Sequence, residues 1–427
     1  MSVLVGGTAF GQAIALLILP LLTRLYSPAD FSVLAVYAAL LGVLGLVASL
    51  RFDIAIPLPQ RVEDAFNLLS LSLLIAVVMS SAIALPCLLA PEWLAGLIKQ
   101  PAMRPYFWLV PIGVLMMAAF SALQFWATRN KNFSLIAKTR VKQAIGGSAT
   151  QLGFGWLGLA PLGLMVGQVM LNGAGAFGLG LRTFKESRAL IASVNFREMA
   201  RLAKEYDRFP KYSSLEAFAN NAAIQIPVLI IAGAALGPEA GYLALAMRVM
   251  QAPMGLIGGA IGQVFFSRAP EEMRNRRLGE FTAEKIAGLL KSGVGPLIFA
   301  GCLAPVLFGP VFGAEWARAG VLVAWMTPWF IFQFIVSPVS MALHVTNNQR
   351  KALLLQIFGL ALRVGFVFAA IQFYRSAVTE VFAVTGAVFY MIYLFVVLAA
   401  VGSSFNELTA VTGAVFYMIY LFVVLAA

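Results

Sequence analysis

RFPKYSSLEAFANNAAIQIPVLIIAGAALGPEAGYLALAMRVMQAPMGLIGGAIGQVFFSRAPE occupies residues 208–271. It holds two apolar runs, 213–236 and 239–266, joined by the turn Gly237-Pro238-Glu239-Ala240. Each run is long enough to cross about 30 Å of hydrocarbon as a helix. Arg208 and Lys211 precede the first run and Arg268 follows the second, while the turn carries no basic residue. The stretch therefore reads as a pair of membrane helices whose open ends share one side of the bilayer.

The same pattern extends in both directions. The chain has 427 residues, of which 61% are hydrophobic and only 11% charged, against about 25% charged in a soluble domain. Twelve spans are expected, at 3–23, 29–50, 65–90, 105–127, 136–157, 159–181, 213–236, 239–266, 291–312, 319–345, 351–373 and 378–400. No separate soluble domain is expected between them. The opening MSVLVGGTAFGQ has no basic segment ahead of its apolar run, so a cleavable leader is not expected.

Charge decides the topology. The connections after the even-numbered spans, with the ends of the spans that follow them, carry 23 of the 30 lysines and arginines, and those after the odd-numbered spans carry five. Arg248 and Arg363 lie within spans. This bias places the N-terminus and the long connections in the cytoplasm. It also accounts for the net charge of +12 through contact with anionic membrane lipids rather than nucleic acid. The longest basic connection, 182–212, divides the chain into an N-lobe (1–181) and a C-lobe (213–400). That connection is amphipathic, which suits either a helix in the membrane interface or a solvated linker. Spans 1 and 7 each bear a proline, Pro20 and Pro227, and each leads through a Pro-acid turn into a Leu/Ala-rich helix. The two halves thus read as parallel repeats, the design of a transporter that binds between halves and rocks them. Prolines 111, 253, 328 and 338 lie inside spans, where broken helices line cavities. Gly163, Gly167, Gly255, Gly258, Gly259 and Gly262 allow close helix packing.

Several motifs lead nowhere. Gly153-Phe-Gly155-Trp-Leu-Gly158 matches a dinucleotide fingerprint but follows no strand. Cys87 and Cys302 lie in apolar runs and read as core residues, so neither a metal cluster nor a disulfide framework is expected. No phosphate-binding loop is present, and no cofactor is expected.

QAIALLILPLLTRLYSPADFSVLAVYAAL (12–40), LRFDIAIPLPQRVEDAFNLL (50–69) and the opening stretch at 208–271 together resemble the polysaccharide biosynthesis flippases. These are the O-antigen, capsule and exopolysaccharide unit exporters of the multidrug/oligosaccharidyl-lipid/polysaccharide superfamily. The resemblance implies an all-α polytopic membrane protein with twelve helices in two six-helix lobes around a central cavity. It implies a non-enzymatic flippase in the bacterial inner membrane. Its cargo would be an undecaprenyl-diphosphate-linked oligosaccharide, carried from the cytoplasmic to the outer leaflet. Polysaccharide polymerase or assembly proteins are the implied partners.

That cargo is anionic, and an arginine inside a membrane span is expensive enough to imply a function. Guanidinium also binds phosphate in a bidentate fashion. Arg248, with Gln251 one turn on, and Arg363 are therefore candidates for the diphosphate. Arg51, Arg24 and Arg140 are interfacial candidates, for which snorkelling to headgroups is the ordinary alternative. Asn220, Asn221 and Gln225 in span 7 offer amides to sugar hydroxyls. Glu216, Asp53 and Asp30 are candidates for ion coupling, although Asp53 reads most simply as the partner of Arg51. His344, the single histidine, reads as an interfacial polar residue before a proton relay. A multidrug or ion antiporter of the same superfamily is the alternative, but it would favour an acidic cavity. A membrane polymerase or ligase would need a large outer loop with catalytic acids, and the outer loops here are short. A non-transporting scaffold within the assembly complex is a further alternative.

AVTGAVFYMIYLFVVLAA occurs at 383–400 and again, unchanged, at 410–427. The first copy is span 12. The second has no place in a six-plus-six design and reads as a recent duplication. Its apolarity would also permit a thirteenth helix within the tail 401–427.

Overall fold

Hydrocarbon supplies no partner for a backbone amide, so a chain this apolar must satisfy its hydrogen bonds within helices. The computed structural model describes residues 2–234, 237–254, 258–346, 348–402 and 413, and every regular element among them is helical. The tail 401–427, with the second copy of the repeated stretch, lies outside the described residues except for Val401, Gly402 and Gly413. The chain separates into two compact units, Met1–Gly241 and Tyr242–Ala427.

In the first unit, α1 (Ser2–Leu17) and α2 (Leu19–Leu25) share span 1 and break at Ile18. Pro20 lacks the amide proton that would continue the ladder. Ser27 and Asp30 form a capping box that starts α3 (Pro28–Val47). Leu50 (φ 48°) and Arg51 (φ 61°) then adopt left-handed backbone, which costs of order 1–3 kcal/mol for a non-glycine residue. This break turns the chain into α4 (Phe52–Ala55), followed by α5 (Val62–Leu89) and α6 (Pro91–Leu97). Next come α7 (Leu109–Arg129), α8 (Phe133–Trp156), α9 (Leu162–Gly173) and α10 (Gly175–Glu186). α11 (Arg188–Ile191), α12 (Phe196–Glu205) and α13 (Ser214–Gly233) complete the unit.

The core of this unit forms where α4, α5 and α7 meet. Phe66 and Trp126 pack edge to face, 5.3 Å between centroids, beside Phe52, Ile56, Leu69 and Leu123. Arg129 clamps the preceding loop by donating to the carbonyls of Pro57 (3.1 Å), Pro59 (2.5 Å) and Gln60 (3.2 Å). Elsewhere α8 and α9 approach backbone to backbone. A Cβ on Gly167 would lie 2.9 Å from the Gly147 carbonyl, so the expected small-residue packing is present there.

At α12 the amphipathic connection packs against protein. Met199 and Leu202 insert into the core just described, where each buried side chain contributes about 1.5–3 kcal/mol. Buried Asn67 on α5 donates to the carbonyls of Glu63 (2.9 Å) and Ser193 (3.1 Å) and accepts from the Asn195 amide (3.0 Å). Arg201 bridges Asp64 on α5 (2.8 Å) to Glu198 and Glu205 on its own helix (2.7 Å each). The helix is thus docked by shape, hydrogen bonds and charge together.

α13 packs along α3 in the first unit. Asn221 Nδ2 donates to the Gly42 carbonyl. Gly42 has no side chain, so Asn221 and Gln225 can lie against its backbone. At one end the Gly241 amide donates to Ser32 Oγ (2.8 Å), and Gln100 Nε2 donates to the Ala232 carbonyl (2.6 Å).

The second unit begins within α14 (Glu239–Pro253) and continues through α15 (Gly259–Arg274) and α16 (Leu278–Leu289). A π-helical turn at Leu290–Val294 joins α16 to α17 (Gly295–Phe312). α18 (Ala317–Val336), α19 (Ala342–Val345), α20 (Gln349–Phe373) and α21 (Val378–Ala400) follow. A Cβ on Gly320 of α18 would strike the Ala304 carbonyl of α17, so these helices too meet at the backbone. Gly262 lies against Pro338, which joins two features expected from the sequence. Arg318 pairs with Glu380 at 2.6 Å and pins α18 to α21.

The described residues of the twelve expected spans are largely helical. Nine of the described helical stretches are long and apolar enough to cross a membrane. Spans 1, 5 and 8 fall outside that set for identifiable reasons. Span 1 breaks at Ile18, α8 carries Lys138, Arg140 and Lys142, and span 8 includes residues 255–257, which lie outside the described residues.

Asn67→Leu removes three hydrogen bonds and leaves the 193–195 backbone unpaired, at a cost of about 2–3 kcal/mol. We expect trypsin to cut within 188–205 of the folded variant much faster than in wild type. Equal cleavage rates would mean that Asn67 does not hold the connection.

Candidate functional site

The two arginines inside spans have opposite surroundings. Arg363 on α20 is 1% exposed. Its guanidinium lies over the rings of Phe389 (4.5 Å), Trp329 (5.1 Å) and Tyr390 (5.4 Å), and it shares a side-chain hydrogen bond with Tyr390. Glycines make this cage. Gly386 lies flush on the Trp329 indole and Gly359 on the Phe389 ring. A delocalised, weakly hydrated cation suits such a site where a lysine ammonium does not. Arg363 therefore sits within the packing of α18, α20 and α21.

Arg248 on α14 is half-buried and has no hydrogen bond or ion pair among the described residues. Gln251, three residues on, is exposed. The two share a helix face, as the sequence spacing predicts. An unmatched guanidinium beside an exposed amide can take an anionic, oxygen-rich ligand.

The remaining candidates belong to the first unit. Asp53 does not pair with Arg51, contrary to the simplest sequence reading. Its carboxylate, 2% exposed, accepts from Ser49 Oγ (3.0 Å) and Ser121 Oγ (2.6 Å). The left-handed backbone at Arg51 directs its side chain separately, and its buried Nε has no partner. Arg140 reaches across to α7, where it donates to Gln124 Oε1 (2.7 Å) and lies 4.9 Å from the centre of the Phe120 ring. Arg24 is exposed. Asp30 accepts from the Ser27 amide (2.9 Å) and hydroxyl (2.7 Å) and so caps α3. Asn221 and Gln225 face α3, Asn220 is exposed, and Glu216 is half-buried. The His344 side chain lies outside the described residues. No group of three or more metal-binding side chains occurs among the described residues.

Sequence reasoning missed Ser49, Ser121, Gln124, Trp329 and Tyr390. The i, i+4 spacing of Ser49 and Asp53 could have shown the first. The others come from different helices and have no local signature.

Arg363→Lys keeps the charge but loses the planar stack and the shared hydrogen bond. We expect the detergent-solubilised variant to be destabilised by on the order of 3 kcal/mol, with Arg248→Lys nearly neutral. Thermal unfolding of the two variants side by side measures this. Equal melting temperatures would exclude a structural role for the cage.

The comparisons with known proteins agree with this architecture. The sequence model for polysaccharide biosynthesis proteins matches residues 21–320. No curated protein matches the chain. Among solved structures, the lipid II flippase MurJ in an inward closed conformation superposes with a TM-score of 0.65 at 14% identity, covering 100% of this chain and 97% of that one. An inward-facing multidrug resistance MATE transporter of the MOP superfamily gives 0.57 at 14% identity, covering 94% and 96%. The bent form of the Vibrio cholerae MATE transporter VcmN gives 0.52 at 14% identity, covering 96% and 97%. At such identities the likeness is one of fold. This multi-pass membrane protein belongs to the polysaccharide biosynthesis protein family and has the all-helical fold of the MOP superfamily.

Proposed function

We propose that this protein flips an undecaprenyl-diphosphate-linked oligosaccharide repeat unit across the bacterial inner membrane, for O-antigen, capsule or exopolysaccharide synthesis. The observation that carries the proposal is Arg248, a half-buried cation in a membrane helix with no protein counter-charge among the described residues. A lone intramembrane arginine is costly and needs a compensating anion. The cargo's diphosphate supplies one and is the part of the cargo least able to cross hydrocarbon unaided. Gln251 on the same face offers its amide to phosphate or sugar oxygens. No bond is made or broken, so the protein acts as a carrier and not as an enzyme.

The basic connections favour an N-terminus in the cytoplasm, and in this reading the lobes 1–181 and 213–400 alternate access by rocking. A polymerase that consumes repeat units on the far side is the fitting partner. Arg248 also weighs against a cationic drug as cargo, because like charges repel in a low-dielectric site.

Asp53 is the best placed of the three acids for ion coupling. It is enclosed, carries no arginine partner, and is bonded to two hydroxyls that can serve it in either protonation state. Asp30 is committed to helix capping.

In cells lacking the protein, lipid-linked repeat units should accumulate on the cytoplasmic leaflet. Wild type should relieve this, and Arg248→Ala should restore less than about a tenth of the flux, as expected for a lost charge-assisted contact. Single units on the outer leaflet of the null cells would show that flipping is intact and would favour a polymerase or ligase role.

Asp53→Asn keeps the shape of its site. Flipping by this variant in proteoliposomes should lose its response to an imposed proton or sodium gradient while folded yield stays normal. A retained gradient response would remove Asp53 from coupling.

A further inference from the structure

α6 and the 3₁₀ turn Pro101–Tyr106 border an open surface cavity of about 450 Å³ in the first unit. Glu92, Lys99 and Arg104 line it beside Ala95, Gly96 and Pro101. Glu92 and Arg104 pair with each other, while Lys99 has no ion pair among the described residues. The lining thus carries one uncompensated positive charge. Its apolar surroundings are distinctive too. Trp93, Leu97 and Trp108 are all exposed, and aromatic side chains of this kind gather at the headgroup level of a bilayer. A cation in a cavity at that depth meets lipid phosphate.

We propose that this cavity is a second binding site, for the phosphate of a membrane-anchored lipid, with Lys99 as its principal contact and Arg104 shared between Glu92 and the ligand. Two lipids offer this chemistry: an anionic phospholipid, or the isoprenyl diphosphate that carries the glycan. The site is separate from Arg248, which belongs to the other unit. The orientation of the turn toward the outer leaflet, and the second of these sources, rest on the flippase reading above.

The cavity wall is also fastened to a long helix. Gln100, next to Lys99, holds the Ala232 carbonyl at 2.6 Å. The Ile98 carbonyl lies against Gly233, where a Cβ would approach it to 2.6 Å. A ligand that stiffens residues 98–100 therefore also stiffens the end of α13. Under the flippase reading, α13 opens the second lobe.

Gly96 provides a local probe, because a Cβ there meets nothing within 4 Å. Benzoylphenylalanine introduced in place of Gly96 places a photoreactive ring in the cavity without displacing packed atoms. The full-length protein in nanodiscs would be irradiated with labelled farnesyl diphosphate, phosphatidylglycerol or farnesol. We expect crosslinks to one or both phosphate-bearing probes, reduced about fivefold by Lys99→Gln, the order of one solvent-exposed ionic contact. Unchanged melting would show that Lys99→Gln folds normally. Crosslinking of the diphosphate would identify the carrier lipid as the source, and crosslinking of phosphatidylglycerol would identify the bilayer. Equal labelling by farnesol, no labelling by either phosphate, or labelling indifferent to Lys99→Gln would overturn the site. All of these outcomes can be read in an Arg248→Ala background. Failure of the flippase reading and failure of this site are therefore told apart.

Discussion

A charge inside hydrocarbon must be matched, and this constraint organises both units. Arg363 is matched by protein. Three aromatic faces and a tyrosine hydroxyl surround it, and two glycines let the rings close in. Asp53 is matched by two serine hydroxyls. Arg140 is matched by a glutamine and a phenylalanine ring. Arg248 is the contrast, with no protein partner among the described residues. In a bilayer of low dielectric constant, that difference separates a cation engaged in helix packing from one left without a counter-charge among the described residues.

The cage around Arg363 also bears on the repeated stretch. Gly386, Phe389 and Tyr390 all belong to the first copy, 383–400. Their function depends on an arginine on α20 and an indole on α18, so the first copy is specified by its neighbours. The chain contains one Arg363 and one Trp329.

The connection between the halves shows the same dependence on context. An amphipathic helix can face lipid, water or protein, and its own sequence suits all three. In α12 the choice is made by Asn67, which binds backbone on both sides of the turn before it, and by the apolar floor of Phe66, Leu69 and Trp126. Arg201 then aligns the helix with Asp64. α13 similarly seats on α3 because Gly42 exposes its carbonyl to Asn221.

The family came from the resemblance carried by residues 12–40, 50–69 and 208–271, while length, apolarity and the alternation of basic connections were enough to determine the helical class and the approximate number of spans. Those properties are local or additive, and the bilayer imposes them one segment at a time. The sequence alone also singled out Arg248 and Arg363 as arginines within spans. It favoured Arg248, with Gln251 one turn on, over Arg363, but could not show what either packs against. Tertiary structure decided that Arg363 packs between helices while Arg248 is left half-buried with no ion pair among the described residues. It likewise decided that Asp53 binds Ser49 in the turn after α3 and Ser121 on α7, and not the arginine two residues away. The physical reason is that burial and pairing depend on which helix faces approach, and such approaches bring together residues as far apart in the chain as Asp53 and Ser121.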